Sequence, residues 1–170
     1  MKMTSAYANK LLKQLNEDKS FWEKKEEDGS LYYAEVDETP VVPDYDYKEV
    51  SDTIDGIDRK IVILKHAINL ANLTNRIEVG DETFTIDQVL VRMAQLNKRK
   101  AFLDNLRKQM PKSRREPGRY SYRTGNPEYQ YINYDLNLIK QEFERVSSEI
   151  MAMQMALDKY NQTFEFEVEY

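Results

Sequence analysis

Two stretches of this sequence place apolar residues alternately three and four positions apart, and nothing else in the chain constrains its fold as much. The first runs Tyr47, Val50, Ile54, Ile57, Ile61, Leu64, Ile68 and Ala71; the second runs Leu136, Ile139, Phe143, Val146, Ile150, Met153, Leu157, Tyr160 and Phe164. Such spacing averages half of a heptad and winds a single apolar seam along a helix, as in coiled coils. It predicts helices over about 46–72 and 134–162, each roughly 42 Å long at the rise of an α-helix, whose seams can pair along their lengths.

Two weaker helices are expected beside them. One spans about 4–28, with Thr4 or Ser5 as N-cap, a thin apolar face of Ala8, Leu11, Leu12, Leu15 and Trp22, and a stop at Asp28-Gly29-Ser30. The other, about 86–110, is announced by the capping box Thr85-Ile86-Asp87-Gln88 and ends before Pro111. Its apolar side carries Ile86, Val89, Leu90, Met93, Leu96, Leu103 and Leu106, interrupted by Lys100 and Arg107. With 41% hydrophobic and 32% charged residues but only 5 Gly and 5 Pro, the composition agrees with helices and argues against disorder or a loop-rich all-β fold. The expectation is one mainly α domain over 1–170, with long antiparallel helices in a coiled-coil-like bundle and a small β hairpin or sheet element.

The β element is read from four scraps. Leu31 to Val36 is aromatic and β-branched enough for a short strand, and Ile77 to Thr85 reads as a hairpin turning at Gly80-Asp81. The connection over 111–133 is longer than packed helices need, so it is a β-arm or a functional loop. Phe164 to Tyr170 alternates apolar side chains with three Glu, the period of a half-buried strand. These pieces could pair into one small sheet at one end of the helices.

Off the seams, the two strong helices carry further apolar residues. Val62, Ile63 and Leu70 lie beside the first seam, and Met151 and Met155, with Ala152 and Ala156, lie beside the second. Each second stripe must be covered, either by the weaker helices of the same chain or by another copy in a homo-oligomer. The methionines suit an adaptable contact.

Several chemistries are closed to this chain. No cysteine means no disulfide, thiolate metal site, iron–sulfur cluster or thiol nucleophile, and the lone histidine, His66, has no Glu three residues before it, which removes the Glu-x-x-His pattern of di-metal bundles. Glu23-x-x-Glu26, and Glu49, Asp52, Asp55 and Asp58 at every third position, have the carboxylate spacing of all-α metal-dependent nucleotide hydrolases. The heptad register turns Glu49, Asp52 and Asp55 towards solvent, so a solvated acidic face is expected rather than a metal site, with no cofactor. His66 falls on the same outer face. Phosphate-binding glycine loops and a G-x-S-x-G elbow are absent. The N-terminus has no apolar signal core and no stretch is long and apolar enough to span a membrane, so a soluble, cytoplasmic protein with no membrane partner is expected.

The most distinctive charge pattern lies in the connections. Residues 111–126 carry Lys112, Arg114, Arg115, Arg119 and Arg123 against Glu116 alone, interleaved with Tyr120 and Tyr122 and followed by Tyr129, Tyr131 and Tyr134. Guanidinium groups pair with phosphate and tyrosines stack on bases, so this arm is the candidate for an anion or nucleic acid. Residues 28–49 hold seven acids against Lys48 alone. The acidic linker and the basic arm are therefore equally suited to pair with each other, within or between subunits. Asn69, Asn72, Thr74 and Asn75 form a further polar cluster, read as caps for the end of the second helix.

The run from Asp58-Arg59 through Asn69-x-x-Asn72-x-Thr74-Asn75, the short hairpin, Thr85 to Arg99, the basic Tyr-rich arm, the heptad helix and a closing Asn161-x-Thr163-x-Glu165 together resemble an uncharacterised bacterial helical domain family, some of whose members are labelled septicolysin. The resemblance implies a small helical bacterial protein, and it carries over no catalytic residue. A pore former, as the label suggests, finds no support in the residues. The leading expectation is a non-enzymatic interaction or scaffold protein, a homo-oligomer assembled through helical packing. The alternatives are a nucleic-acid or phosphate binder using the basic arm and a metal-dependent nucleotide hydrolase.

Overall fold

The computed structural model describes residues 1–114 and 128–169. The described chain runs β1 (Lys2–Thr4), α1 (Ser5–Gly29), α2 (Tyr47–Thr74), β2 (Arg76–Val79), β3 (Glu82–Thr85), α3 (Ile86–Arg107), β4 (Lys112–Arg114), β5 (Tyr129–Tyr131), α4 (Leu136–Thr163) and β6 (Glu165–Glu167). The fold is mainly α with small antiparallel strand pairs.

Each helix begins where a short polar side chain satisfies a free backbone amide. Thr4 Oγ1 accepts from Tyr7 N at 3.3 Å, Asp46 Oδ1 from Glu49 N at 3.0 Å and Asp135 Oδ1 from Asn137 N at 2.7 Å. The capping box at α3 closes in both directions: Gln88 N donates to Thr85 Oγ1 at 3.2 Å, and Thr85 N donates to Gln88 Oε1 at 2.9 Å. Helix α3 stops at Arg107, three residues short of the expected Met110.

The two strong seams do not pair with each other as expected. Helix α2 packs along α1, and α4 packs along α3, forming two antiparallel helical hairpins. In hairpin one, Ala8 and Leu15 of α1 meet Ile57, Ile61 and Leu64 of α2. In hairpin two, Val89, Leu96 and Leu103 meet Val146 and Met153, two heptad steps on one side and one on the other. Leu90, expected on the core side of α3, is instead exposed. A seam specifies a buried face and not the helix that covers it; here each strong helix is covered by the helix that precedes it in the chain, across a long connection.

The hairpins join at the end where the chain begins and finishes. There β1 pairs with β6, Met3 opposite Phe166, and the ladder is extended by Met1 N donating to Val168 O at 2.7 Å and Val168 N donating to Met1 O at 2.8 Å. The β2–β3 hairpin turns at Gly80, whose φ of 62° suits glycine, and places Ile77, Val79 and Phe84 against the core of hairpin two. Tyr160 on α4 lies at hydrogen-bonding distance, 3.5 Å, from Ala71 O on α2, and burial pushes its phenol above the ordinary range. The cluster at the end of α2 acts as a cap, with Asn75 Nδ2 donating to Ala71 O and Thr74 Oγ1 to Leu70 O, both at 2.8 Å.

Among the described residues the strands thus form three separate two-stranded pairs, not one sheet. Leu31 to Val36, expected as a strand, is irregular and joins no strand among the described residues. Conversely, Lys2–Thr4 is a strand because β6 offers it an edge, a long-range partner that its own composition does not announce.

Candidate functional site

Away from the shared end, each hairpin finishes in a tip made by a connection, and the tips differ in charge. At the tip of hairpin one, α1 closes with Lys24 held between Glu27 and Asp28, at 3.2 and 2.8 Å. Tyr45 returns the linker onto Gly29, where a Cβ would stand 2.7 Å from Tyr45 Cβ, so only glycine fits the approach. Burial, together with the nearby Glu26 carboxylate, pushes the Tyr45 phenol up. Between these anchors, Leu31 to Ala34 make no backbone hydrogen bond among the described residues, and Tyr33 and Val36 are 92% and 102% exposed. A local turn follows, in which Glu38 N donates to Glu35 O at 3.1 Å.

At the tip of hairpin two, the seam residues Lys100 and Arg107 lay their cations on the Phe143 ring, at 5.5 and 4.0 Å from its centroid. Arg107 and Lys108 also pair with Asp104, whose carboxyl the Lys108 ammonium and the Arg107 guanidinium hold below its usual range. Arg107, Lys108, Lys140, Phe143 and Glu144 line a shallow cleft here. Above it stands the β4–β5 ribbon, rooted by Ile132 N donating to Pro111 O at 3.3 Å and by Tyr134 Oη donating to Leu106 O at 2.8 Å.

The ribbon register sets Lys112 opposite Tyr131, Ser113 opposite Gln130 and Arg114 opposite Tyr129. Cross-strand partners share a face, so Lys112, Arg114, Tyr129 and Tyr131 are presented together and all are exposed. Lys112 Nζ sits 4.2 Å from the Tyr129 centroid and 5.5 Å from that of Tyr131. Among the described residues neither Lys112 nor Arg114 makes an ion pair, and no ion pair or hydrogen bond joins the acidic tip to the basic one. The remaining arm candidates, Arg115, Arg119, Tyr120, Tyr122 and Arg123, lie outside the described residues.

The candidate interface residues divide. Val62 and Leu70 on α2 are 66% and 54% exposed, and Met151 and Met155 on α4 are 66% and 68% exposed. Ile63 is different: it packs against the core of hairpin one and is only partly available. Helix α3 adds an outer set, Leu90, which was expected inward, with Val91 and Phe102, which the sequence analysis did not single out, all about half exposed. Their spacing of one and eleven residues was the available signal, since positions eleven apart return to one helix face.

The carboxylates spaced for a hydrolase do not converge. Lys19 Nζ binds Asp58 at 2.8 Å and lies 3.7 Å from Glu23, so both acids serve an ion pair between α1 and α2. Glu49, Asp52, Asp55 and His66 are exposed. Among the described residues no group of three or more His, Asp or Glu side chains is placed to hold a metal ion, and no helix is long and apolar enough to cross a membrane.

The class that these features define is a two-hairpin, mainly α protein with small β pairs. Neither a family model nor a curated protein matches the sequence. The fold is similar to that in the crystal structure of a functionally unknown conserved protein from Corynebacterium diphtheriae, with a TM-score of 0.68 and 16% identity over 98% of this chain and 100% of the other. At that identity the likeness establishes the fold alone.

Proposed function

We propose that this chain is a non-enzymatic interaction or scaffold protein that self-associates and covers the outer faces of its helices in doing so. The observation that carries the reading is its surface. The chain exposes 13441 Å², whereas a compact monomer of this mass exposes about 8,800 Å². The excess persists even if the residues outside the described set are allotted the full surface of an unfolded chain. Further support comes from the stripes of Val62 and Leu70, and of Met151 and Met155, because contiguous exposed apolar surface marks interaction sites. Membership of the septicolysin-labelled helical family belongs to the same proposal and adds no activity to it.

Light scattering coupled to gel filtration tests the reading. A mass that is a multiple of 20.2 kDa at micromolar concentration is expected, reduced by Met151→Glu with Met155→Glu or by Val62→Glu with Leu70→Glu. A strict monomer for the unmodified protein would end it. The cation and tyrosine face of the ribbon favours one second reading, binding of single-stranded nucleic acid, which predicts affinity falling steeply with salt.

A further inference from the structure

We propose that residues Leu31–Val36 of one copy add as a third strand to the β4 edge of the ribbon in a second copy, and that reciprocal exchange closes a dimer. The inference rests on the self-association reading and names its contact.

The first argument is local. Leu-Tyr-Tyr-Ala-Glu-Val has the composition of a strand, yet in this chain it is exposed and its first four residues make no backbone hydrogen bond among the described residues. An unpaired segment with strand composition is short of an edge. The ribbon supplies one. With only three residues per strand it is a marginal sheet that gains from a third strand. The bond from Ile132 N to Pro111 O marks 111 and 132 as a hydrogen-bonding pair. By the alternation of antiparallel ladders, Lys112 and Arg114 then form non-bonded pairs, and their N–H and C=O groups point outward from β4. Backbone groups so placed are what strand addition uses.

Charge then selects the partner. The β4 edge carries Lys112 and Arg114 and no acid, so two such edges repel each other. Residues 31–38 carry Glu35, Asp37 and Glu38 and no base. The two tips belong to different hairpins with no bond between them among the described residues, so their complementarity is satisfied by a second copy. Exchange in both directions uses both tips of both copies and leaves no open end, as a closed two-fold assembly requires.

The absence of cysteine makes the test direct. Copies bearing Tyr33→Cys are mixed with copies bearing Ser113→Cys and treated with a short bismaleimide. A crosslinked heterodimer is expected, with far less product from either variant alone. Replacing Tyr33 and Ala34 by proline removes two adjacent N–H groups, one of which must face the partner, and should weaken dimerisation at least tenfold with helicity unchanged. Lys112→Glu with Arg114→Glu should weaken it similarly, and adding Glu35→Lys, Asp37→Lys and Glu38→Lys should restore it. If the proline variant associates as strongly as the unmodified protein, strand exchange is wrong while self-association stands. If the unmodified protein is monomeric, both fall. If a fluorescent oligothymidine binds and the Lys112→Glu, Arg114→Glu variant loses that binding with dimer strength unchanged, the ribbon is a nucleic-acid site and the proposal is overturned.

Discussion

Hairpin one and hairpin two are built on the same plan and finish in opposite chemistry. Each pairs a long heptad helix with a weaker neighbour around a narrow seam, Leu15 with Ile57 and Ile61 in one, Leu96 with Val146 and Met153 in the other. At their tips the first presents an acidic, tyrosine-rich linker, and the second presents a ribbon whose Lys112 and Arg114 make no ion pair among the described residues. The frame is therefore indifferent to the chemistry of its connections. Seam residues decide which faces are buried, and the tips remain free to carry recognition, as surface connections usually do.

The largest expected effect tests whether the hairpins are separate units. Leu64 and Leu103 are fully buried, one in each seam, and truncation of such a leucine costs about 2–5 kcal/mol. Leu103→Ala should lower amide-exchange protection through α3 and α4 while α1 and α2 keep most of theirs, and Leu64→Ala should do the reverse. Equal loss across all four helices in both variants would break the comparison and make the molecule one cooperative body.

A smaller effect distinguishes their starts. Thr85→Ala removes the side-chain half of a closed capping box, the bond that Gln88 N donates to Thr85 Oγ1, and should cost about 1 kcal/mol by denaturant unfolding. Thr4 holds its amide by one longer bond, so Thr4→Ala should cost less. The reverse order would show that the junction strands, not the caps, set these helix starts.

The smallest effects are in pH. In hairpin two, Lys108 and Arg107 depress Asp104, and Arg145 depresses Glu142. Groups with depressed folded values bind fewer protons folded than unfolded. Their contribution is thus full above the ordinary carboxyl range near about 4 and is lost as pH falls through the depressed values. In hairpin one, the hydrogen bond to Asp58 raises Lys19, so that contribution is full below the ordinary lysine value of about 10.4 and is lost as pH rises through the raised one. Amide exchange mapped against pH should show hairpin two loosening first in acid, whereas the Lys19 contact between α1 and α2 loosens only in alkali. Both effects are small, because water still reaches one or both partners of each pair and screens it.

Much of this was legible along the chain because it is local. Thr85 and Gln88 act within four residues, Gly80 within a turn, and the seam of α4 is written every third or fourth residue, so each was readable without knowing the rest. The site was legible only in part. Lys112 and Arg114 were identified by charge, but nothing in their own neighbourhood states that they face Tyr129 and Tyr131 across a ribbon. Leu31 to Val36 misled for the same reason, since strand composition is realised only where an edge is available. Leu90 was placed inward because it adjoins Val89, and the helix rotates it out of the seam.

By itself the sequence determined four helices, the caps at Thr4 and Thr85 and the opposite charges of the two connections, all consequences of residues within a few positions of one another. Only the tertiary structure decided that α2 joins α1 and α4 joins α3, that Lys2–Thr4 pairs with Glu165–Glu167, and that Val62, Leu70, Met151 and Met155 stay uncovered. The physical reason is that an apolar seam states which face must be buried but not against what. That choice depends on chain connectivity and on the competition among all the faces available at once.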